Sequence, residues 1–187
     1  MQTPEKIALI DMDGTLVDYD GAMRAALAKI TSPGEVWDEK ASWAEARKNI
    51  IKNQPGFWLN LPPIKEGFRV LGLITEVGFE TVVLTKGPYR TTSAWAEKVE
   101  WNRRHLPETP VTITEDKGLV YGRVLFDDWP AYMLRWLQWR PRGLGVMLES
   151  PWNQDFAHPN VVKIRVGDGF EEDLNNLRPL LQAAYDR

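Results

Sequence analysis

The chain has 187 residues, of which 43% are hydrophobic, with 23 basic and 26 acidic side chains and no cysteine. That length fits one domain with room for a small insertion, and a net charge of −3 speaks against a general nucleic-acid or anionic-membrane binder. Without cysteine there are no disulfides, thiolate metal sites or cysteine nucleophiles. No signal-peptide pattern and no run near the roughly 20 apolar residues of a membrane span is present, so a cytoplasmic protein is expected.

Ile7-Ala8-Leu9-Ile10 is a short apolar run that ends at Asp11 and reads as a buried strand. From about Tyr19 to Pro63 no strand is apparent; Ala22–Ile30 and Ser42–Ile51 read as two short helices divided by the Thr31-Ser32-Pro33-Gly34 turn. Phe68, Leu71, Ile74 and Val77 fall at helical spacing, with Gly78 as the stop. Further strands are expected at Phe79–Leu84, Val111–Thr114, Val124–Phe126, Leu144–Leu148 and Val161–Val166. Helices are expected at Thr91–Leu106, at Pro130–Trp139 and in the tail, where Pro179 should kink or divide the last one. Strands alternating with helices imply a doubly wound, Rossmann-like parallel sheet covered on both faces. The expected organisation is an α/β core of residues 1–18 and 64–187, with a helical cap of residues 19–63 inserted after the first strand.

Such sheets bind ligands beyond the carboxyl ends of their strands, and the polar residues of interest sit there. In Asp11-Met12-Asp13-Gly14-Thr15, residues two apart in an extended segment point the same way, so two carboxylates face one spot. That is costly unless a cation or a proton separates them, and Mg²⁺ suits carboxylate oxygens, waters and phosphate. Alone, the string could be no more than an acidic turn after a strand. Three other strand ends add to it. Thr85 can offer a hydroxyl to phosphate and is followed by Lys86; Lys117 can hold a nucleophile and a phosphate together by charge; Asp127-Asp128 can complete a metal shell. Phosphoryl transfer needs these parts: an in-line nucleophile, neutralised equatorial oxygens and a metal clamp.

The order DMDGT, Thr85, Lys117, Asp127-Asp128 resembles the haloacid dehalogenase superfamily over Ile7 to Trp129. The resemblance implies that Asp11 attacks phosphorus to give an aspartyl-phosphate, while Asp13 protonates the leaving oxygen and later activates water. It also implies Mg²⁺ held by Asp11, the Asp13 backbone carbonyl and Asp127, with Asp128 close behind. A narrower resemblance is to the 5′(3′)-deoxyribonucleotidases. It rests on Pro55-Gly56-Phe57-Trp58-Leu59-Asn60-Leu61-Pro62-Pro63, on Glu97-Lys98-x-x-Trp101 and on Thr114-x-Asp116-Lys117. It implies Phe57 and Trp58 against a nucleobase, a nucleoside monophosphate as the small-molecule substrate, and a possible homodimer; Lys86 is expected near the phosphate because it directly follows Thr85. The chain departs from that family at Lys86, Glu115 and Trp129, where serine, arginine and a polar or basic residue are usual. Competing expectations are a phosphatase of another small metabolite, such as a phosphosugar, and a binding protein on a retired phosphatase fold.

Overall fold

The computed structural model describes residues 6–187. Six strands form one parallel sheet: β1 (Ile7–Ile10), β2 (Glu80–Lys86), β3 (Val111–Thr114), β4 (Val124–Phe126), β5 (Leu144–Leu148) and β6 (Val161–Ile164). Their spatial order is β3-β2-β1-β4-β5-β6. The chain builds outward from β1 to β3, then crosses back to lay β4 on the other side of β1. The carboxyl ends of β1 and β4 therefore flank the switch point of the sheet, where a crevice opens.

The central strands β1, β4 and β5 are apolar because both faces are covered. Ala8, Ile10, Val83, Phe126 and Val146 pack on the side of α3 (Lys65–Val77), α4 (Thr92–His105) and α6 (Phe170–Asp186). Their neighbours Leu9, Leu84, Leu125 and Met147 face α5 (Pro130–Trp139) through Met133, Trp136 and Leu137. The expected strands are present with small shifts: β2 starts one residue late and runs on through Thr85 and Lys86, and β6 stops at Ile164. One expectation fails. Helix α6 runs unbroken through Pro179, which lies exposed while Leu177, Leu181 and Ala184 are buried. The anchored stripe on either side outweighs the roughly 3 kcal/mol that an interior proline costs a helix.

Between β1 and α3 come α1 (Tyr19–Ile30) and α2 (Ala44–Lys52), which share a small cluster of Met23, Leu27 and Ile51. The segment leaves and re-enters the core through one paired neck: the Asp18 N–H donates to Pro62 O and the Ile64 N–H to Leu16 O, both at 2.8 Å. Helix α4 fastens the returning loop. The Glu97 carboxylate accepts from the backbone N–H groups of Gly56, Trp58 and Leu59 at 2.8, 3.0 and 3.2 Å. Four residues on, the buried Trp101 indole donates to Leu61 O at 2.9 Å. The sequence pairs Glu97 with Trp101 one helical turn apart, so both reach the same loop.

Helix α3 approaches the turn after β1 so closely that a Cβ on Gly67 would stand 1.9 Å from the Thr15 carbonyl oxygen. Gly67→Ala should therefore push α3 off that turn and cost about 1–3 kcal/mol of stability. Urea unfolding checks this; an unchanged midpoint would mean the approach carries no constraint.

Candidate active site

The Asp11 N–H donates to Phe126 O at 2.8 Å, which carries the β1–β4 pairing one residue past the strand. The chain then wraps on itself. The Met12 carbonyl accepts from Leu16 and Val17 at 2.8 and 2.9 Å, and the Met12 side chain is buried in the core. Asp11 and Asp13 are thereby turned to the other side, into the crevice. Gly14 has φ +74°, and a Cβ there would lie 2.2 Å from the Asp128 Oδ2. Only glycine lets the first turn and the Asp127-Asp128 turn come this close.

Lys117 reaches the same point from β3. Thr114 and Asp116 shape the turn that presents it: Asp116 N–H bonds Thr114 Oγ1 at 3.2 Å, and the Asp116 carboxylate accepts from Gly118 N–H at 2.9 Å. Arg135 of α5 clamps Asp116 at 2.8 Å. The buried Lys117 ammonium then lies 2.6 Å from Asp11 Oδ1 and 2.7 Å from Asp127 Oδ2. Asp127 is steadied further by the Trp129 N–H at 2.9 Å. Asp128 accepts from the Trp152 indole at 2.9 Å, while Asn153 holds its backbone carbonyl at 3.0 Å.

Asp11, Asp127 and Asp128 are buried, and an oxygen of each lies within 4.8 Å of the others. One lysine cannot balance three such carboxylates. Burial, and then the Asp127 and Asp13 charges, push Asp11 up to about 7 against the pull of Lys117. Burial, with Asp11 and Asp127, pushes Asp128 to about 8. Burial opposes the charge on Lys117, but Asp11 and Asp127 hold its pKa above the ordinary lysine value. Buried, convergent, hard oxygen donors that hold protons near neutrality when no cation is present fit a divalent metal. The Asp13 side chain is not in this cluster. Its Oδ2 pairs with Lys98, and its Oδ1 is buried without a hydrogen-bond partner.

Lys98 is the site residue that the sequence reading missed. It is fully buried, and its ammonium reaches Asp13 Oδ2 at 2.5 Å, Thr85 Oγ1 at 2.9 Å and Lys86 O at 3.0 Å. A buried lysine survives only with its donors satisfied. The sequence did hold a signal: Lys98 stands four residues after buried Ala94 and three before buried Trp101, in the apolar stripe of its helix. Thr85, accepting from Lys98, keeps its own hydroxyl proton to donate.

A cavity of about 450 Å³ opens on this group, walled by Asp11, Asp13, Lys86, Lys98, Lys117 and Asp128 on the core side. Tyr19, Asp20, Lys52 and Trp58 close it from the segment that follows β1, and Trp129, Tyr132 and Trp152 stand at its other flank. Of the predicted site residues, Thr85 and Asp127 sit just behind the wall. Phe57 does not line the cavity; it packs edge-on against Tyr19 and Trp58. Both histidines lie elsewhere, His105 stacked on Trp101 and His158 bonded to the Asn160 N–H.

A doubly wound sheet that sets one pair of aspartates after β1 and another after β4, with a lysine between them, defines a hydrolase of the haloacid dehalogenase type. Solved structures bear out the fold. A haloacid dehalogenase-like family hydrolase of Xanthomonas campestris superposes with a TM-score of 0.54 at 12% identity, covering 98% of this chain and 94% of its own. A HAD family hydrolase of Deinococcus radiodurans, crystallised with phosphate and sodium, gives 0.51 at 12% identity over 98% and 97%. A protein of Bordetella pertussis named "Putative 5'(3')-deoxyribonucleotidase" is 28% identical over 163 residues, 80% of this chain and 86% of that protein. The model of the family described as "5' nucleotidase, deoxy (Pyrimidine), cytosolic type C protein" matches residues 5–164. The chain belongs to that family, and it is a phosphoric monoester hydrolase.

The carboxylate cluster predicts how stability responds to pH and cation. Asp11 and Asp128 have folded pKa values raised above the ordinary 3.8, so without cation they favour the folded state least once pH has risen through about 7 to 8. A divalent cation reverses this by replacing the protons. Mg²⁺ at roughly a hundred times its dissociation constant should raise the melting temperature by about 5–10 °C at pH 8, and by clearly less at pH 5.5. Equal shifts at the two pH values, or a full shift in Asp127→Asn, would place the cation elsewhere.

Proposed function

We propose that the enzyme is a Mg²⁺-dependent 5′(3′)-deoxyribonucleotidase, cleaving nucleoside monophosphates to nucleoside and phosphate through an aspartyl-phosphate. The observation that carries this reading is the contact of Lys117 with both Asp11 and Asp127 at the floor of a cavity large enough for a mononucleotide. Family membership and the name of the Bordetella relative support the substrate class.

Asp11, Asp127 and Asp128, with the Asp13 backbone carbonyl, would hold the Mg²⁺. When bound, the ion supplies positive charge against the phosphate oxygens and keeps the carboxylates ionised. Lys117 fixes Asp11 beside the phosphate and offsets its charge. Lys86 and the Thr85 hydroxyl bind the remaining phosphate oxygens. In the first step an Asp11 carboxylate oxygen bonds to phosphorus, the ester P–O bond breaks, and Asp13 gives its proton to the departing nucleoside oxygen. In the second, Asp13 takes a proton from water as that water attacks phosphorus; the Asp11–phosphorus bond breaks and phosphate leaves. Lys98, bonded to Asp13 and Thr85, is a positioning residue that holds the acid/base and the phosphate donor in one frame. Residues 19–63 act as a cap over the cavity, brought to it by the neck at Asp18 and Pro62.

Asp11→Asn should abolish turnover, since an amide does not attack phosphorus, with circular dichroism unchanged; residual turnover above a thousandth would rule out the covalent route. Asp13→Asn should lose about 10²–10⁴-fold on nucleotides. With p-nitrophenyl phosphate, whose leaving group needs no proton, that variant should release one equivalent of nitrophenol in a burst and then stall. A linear time course would remove Asp13 from the second step.

A further inference from the structure

Three tryptophans border the active-site cavity, and they differ in what their rings are free to do. Trp58, on the cap side, is 4% exposed. Tyr19 stacks on it at 5.4 Å and 21°, the Lys98 ammonium lies over its ring at 4.7 Å, and its indole N–H is bonded to Lys52 O at 2.9 Å. A ring so enclosed is part of the wall. Tyr132 is committed as well: the Lys86 and Lys117 ammonium groups stand over it at 5.5 and 4.9 Å. It belongs to the phosphate end. Trp129 and Trp152 are the exceptions, lining the same cavity with 46% and 36% of their surface exposed.

Both residues are mounted next to Asp128 and line the same cavity. Trp129 is the next residue in the chain, and Trp152 is tied to the Asp128 carboxylate through its indole N–H. Neither is loosely mounted. The Trp129 backbone is held by its N–H bond to Asp127 Oδ1 and by Pro130 at the first turn of α5. The Trp152 loop is pinned by Asn153, whose side-chain amide donates to Asp128 O and Leu148 O. Large aromatic surface is left in water at a cavity mouth, on supports shared with the site's own carboxylates. Such surface gains most from a planar, weakly polar group, because stacking buries both faces together.

We infer that Trp129 and Trp152 form the platform on which the nucleobase of the substrate stacks, so that base recognition comes from the core-side loops after β4 and β5 and not from the buried Trp58. This inference rests on the nucleotidase reading. It assigns the base end of the substrate to side chains that touch neither phosphate nor nucleophile.

The test compares a deoxynucleoside 5′-monophosphate with deoxyribose 5-phosphate, which is the same sugar phosphate without the base. The ratio of the two kcat/KM values cancels any change in metal binding or folding and reports the base alone. The wild-type ratio should favour the nucleotide, and Trp129→Ala should lower it about tenfold, mainly through KM. Trp129→Phe should restore most of it. Trp152→Ala should also lower the ratio, on top of an equal loss for both substrates as Asp128 is freed. A wild-type preference that survives in both alanine variants overturns the platform while leaving the nucleotidase reading intact. A wild-type enzyme without preference for the nucleotide overturns both.

Discussion

Everything in this molecule that matters for chemistry follows from crowding carboxylates at one point of the sheet. Unit charges about 4.8 Å apart repel by roughly 3–4 kcal/mol at an effective dielectric near 20, and Asp11, Asp127 and Asp128 are packed within that distance. The fold forces the encounter. Asp11 and Asp127 end neighbouring strands at the place where the chain reverses its direction of build, and Gly14 removes the side chain that would keep the two turns apart. Lys117 relieves part of the repulsion and burial worsens the rest, so the cluster takes up protons at neutral pH unless a cation replaces them. A site arranged in this way favours binding a cation, because positive charge is what three converging carboxylates lack.

The second organising element is α4, which crosses behind the site and is used three times within two turns. Glu97 gathers three backbone N–H groups of the loop that leads from α2 back to α3. Lys98 reaches the other way, to Asp13 and Thr85. Trp101 fixes Leu61, just before the neck. Glu97, Lys98 and Trp101 thus link the loop of Gly56, Trp58 and Leu59 to Asp13 through one helix. Lys98 also lies over Trp58, so that ring and Asp13 share one cation. The cost of burying that cation is offset by three oxygens and an aromatic face.

Much of this was legible in the sequence, for a physical reason. The central strands β1, β4 and β5 are buried, so they appear as unbroken apolar runs, and after β1 and β4 the aspartate that ends the run marks the edge of the crevice. Asp11 and Asp127 could thus be placed by position, whereas Lys117, three residues beyond β3, was placed by its order among the other motif residues. Thr85 likewise follows an apolar-to-polar step at Leu84, although β2 itself runs on through it to Lys86. Lys98 left only a faint signal, its place in the buried stripe of α4, since a lysine reads as solvated unless its partners after β1 and in β2 are known to meet it. Pro179 misled for the converse reason: a local rule predicts a break, and long-range packing of Leu177 and Leu181 overrides it. The aromatic residues show the limit most clearly. Composition told of nine tryptophans, but only folding separates those that are wall from those that are surface.

That separation bears on how the site divides its labour. The phosphate end is made from strand termini and the turns directly on them, where the backbone is held by the sheet ladder and cannot drift. The rest of the cavity is lined from the segment between β1 and α3 and from the loops beyond β4 and β5, which the ladder does not constrain. Trp129 sits where the two regimes meet: its backbone N–H serves Asp127, while its side chain faces the open cavity. Changing that side chain leaves the main-chain bond in place, so the ring can vary without disturbing the metal carboxylates. A fold that separates backbone support from side-chain selection at one residue can alter its substrate while keeping its chemistry fixed.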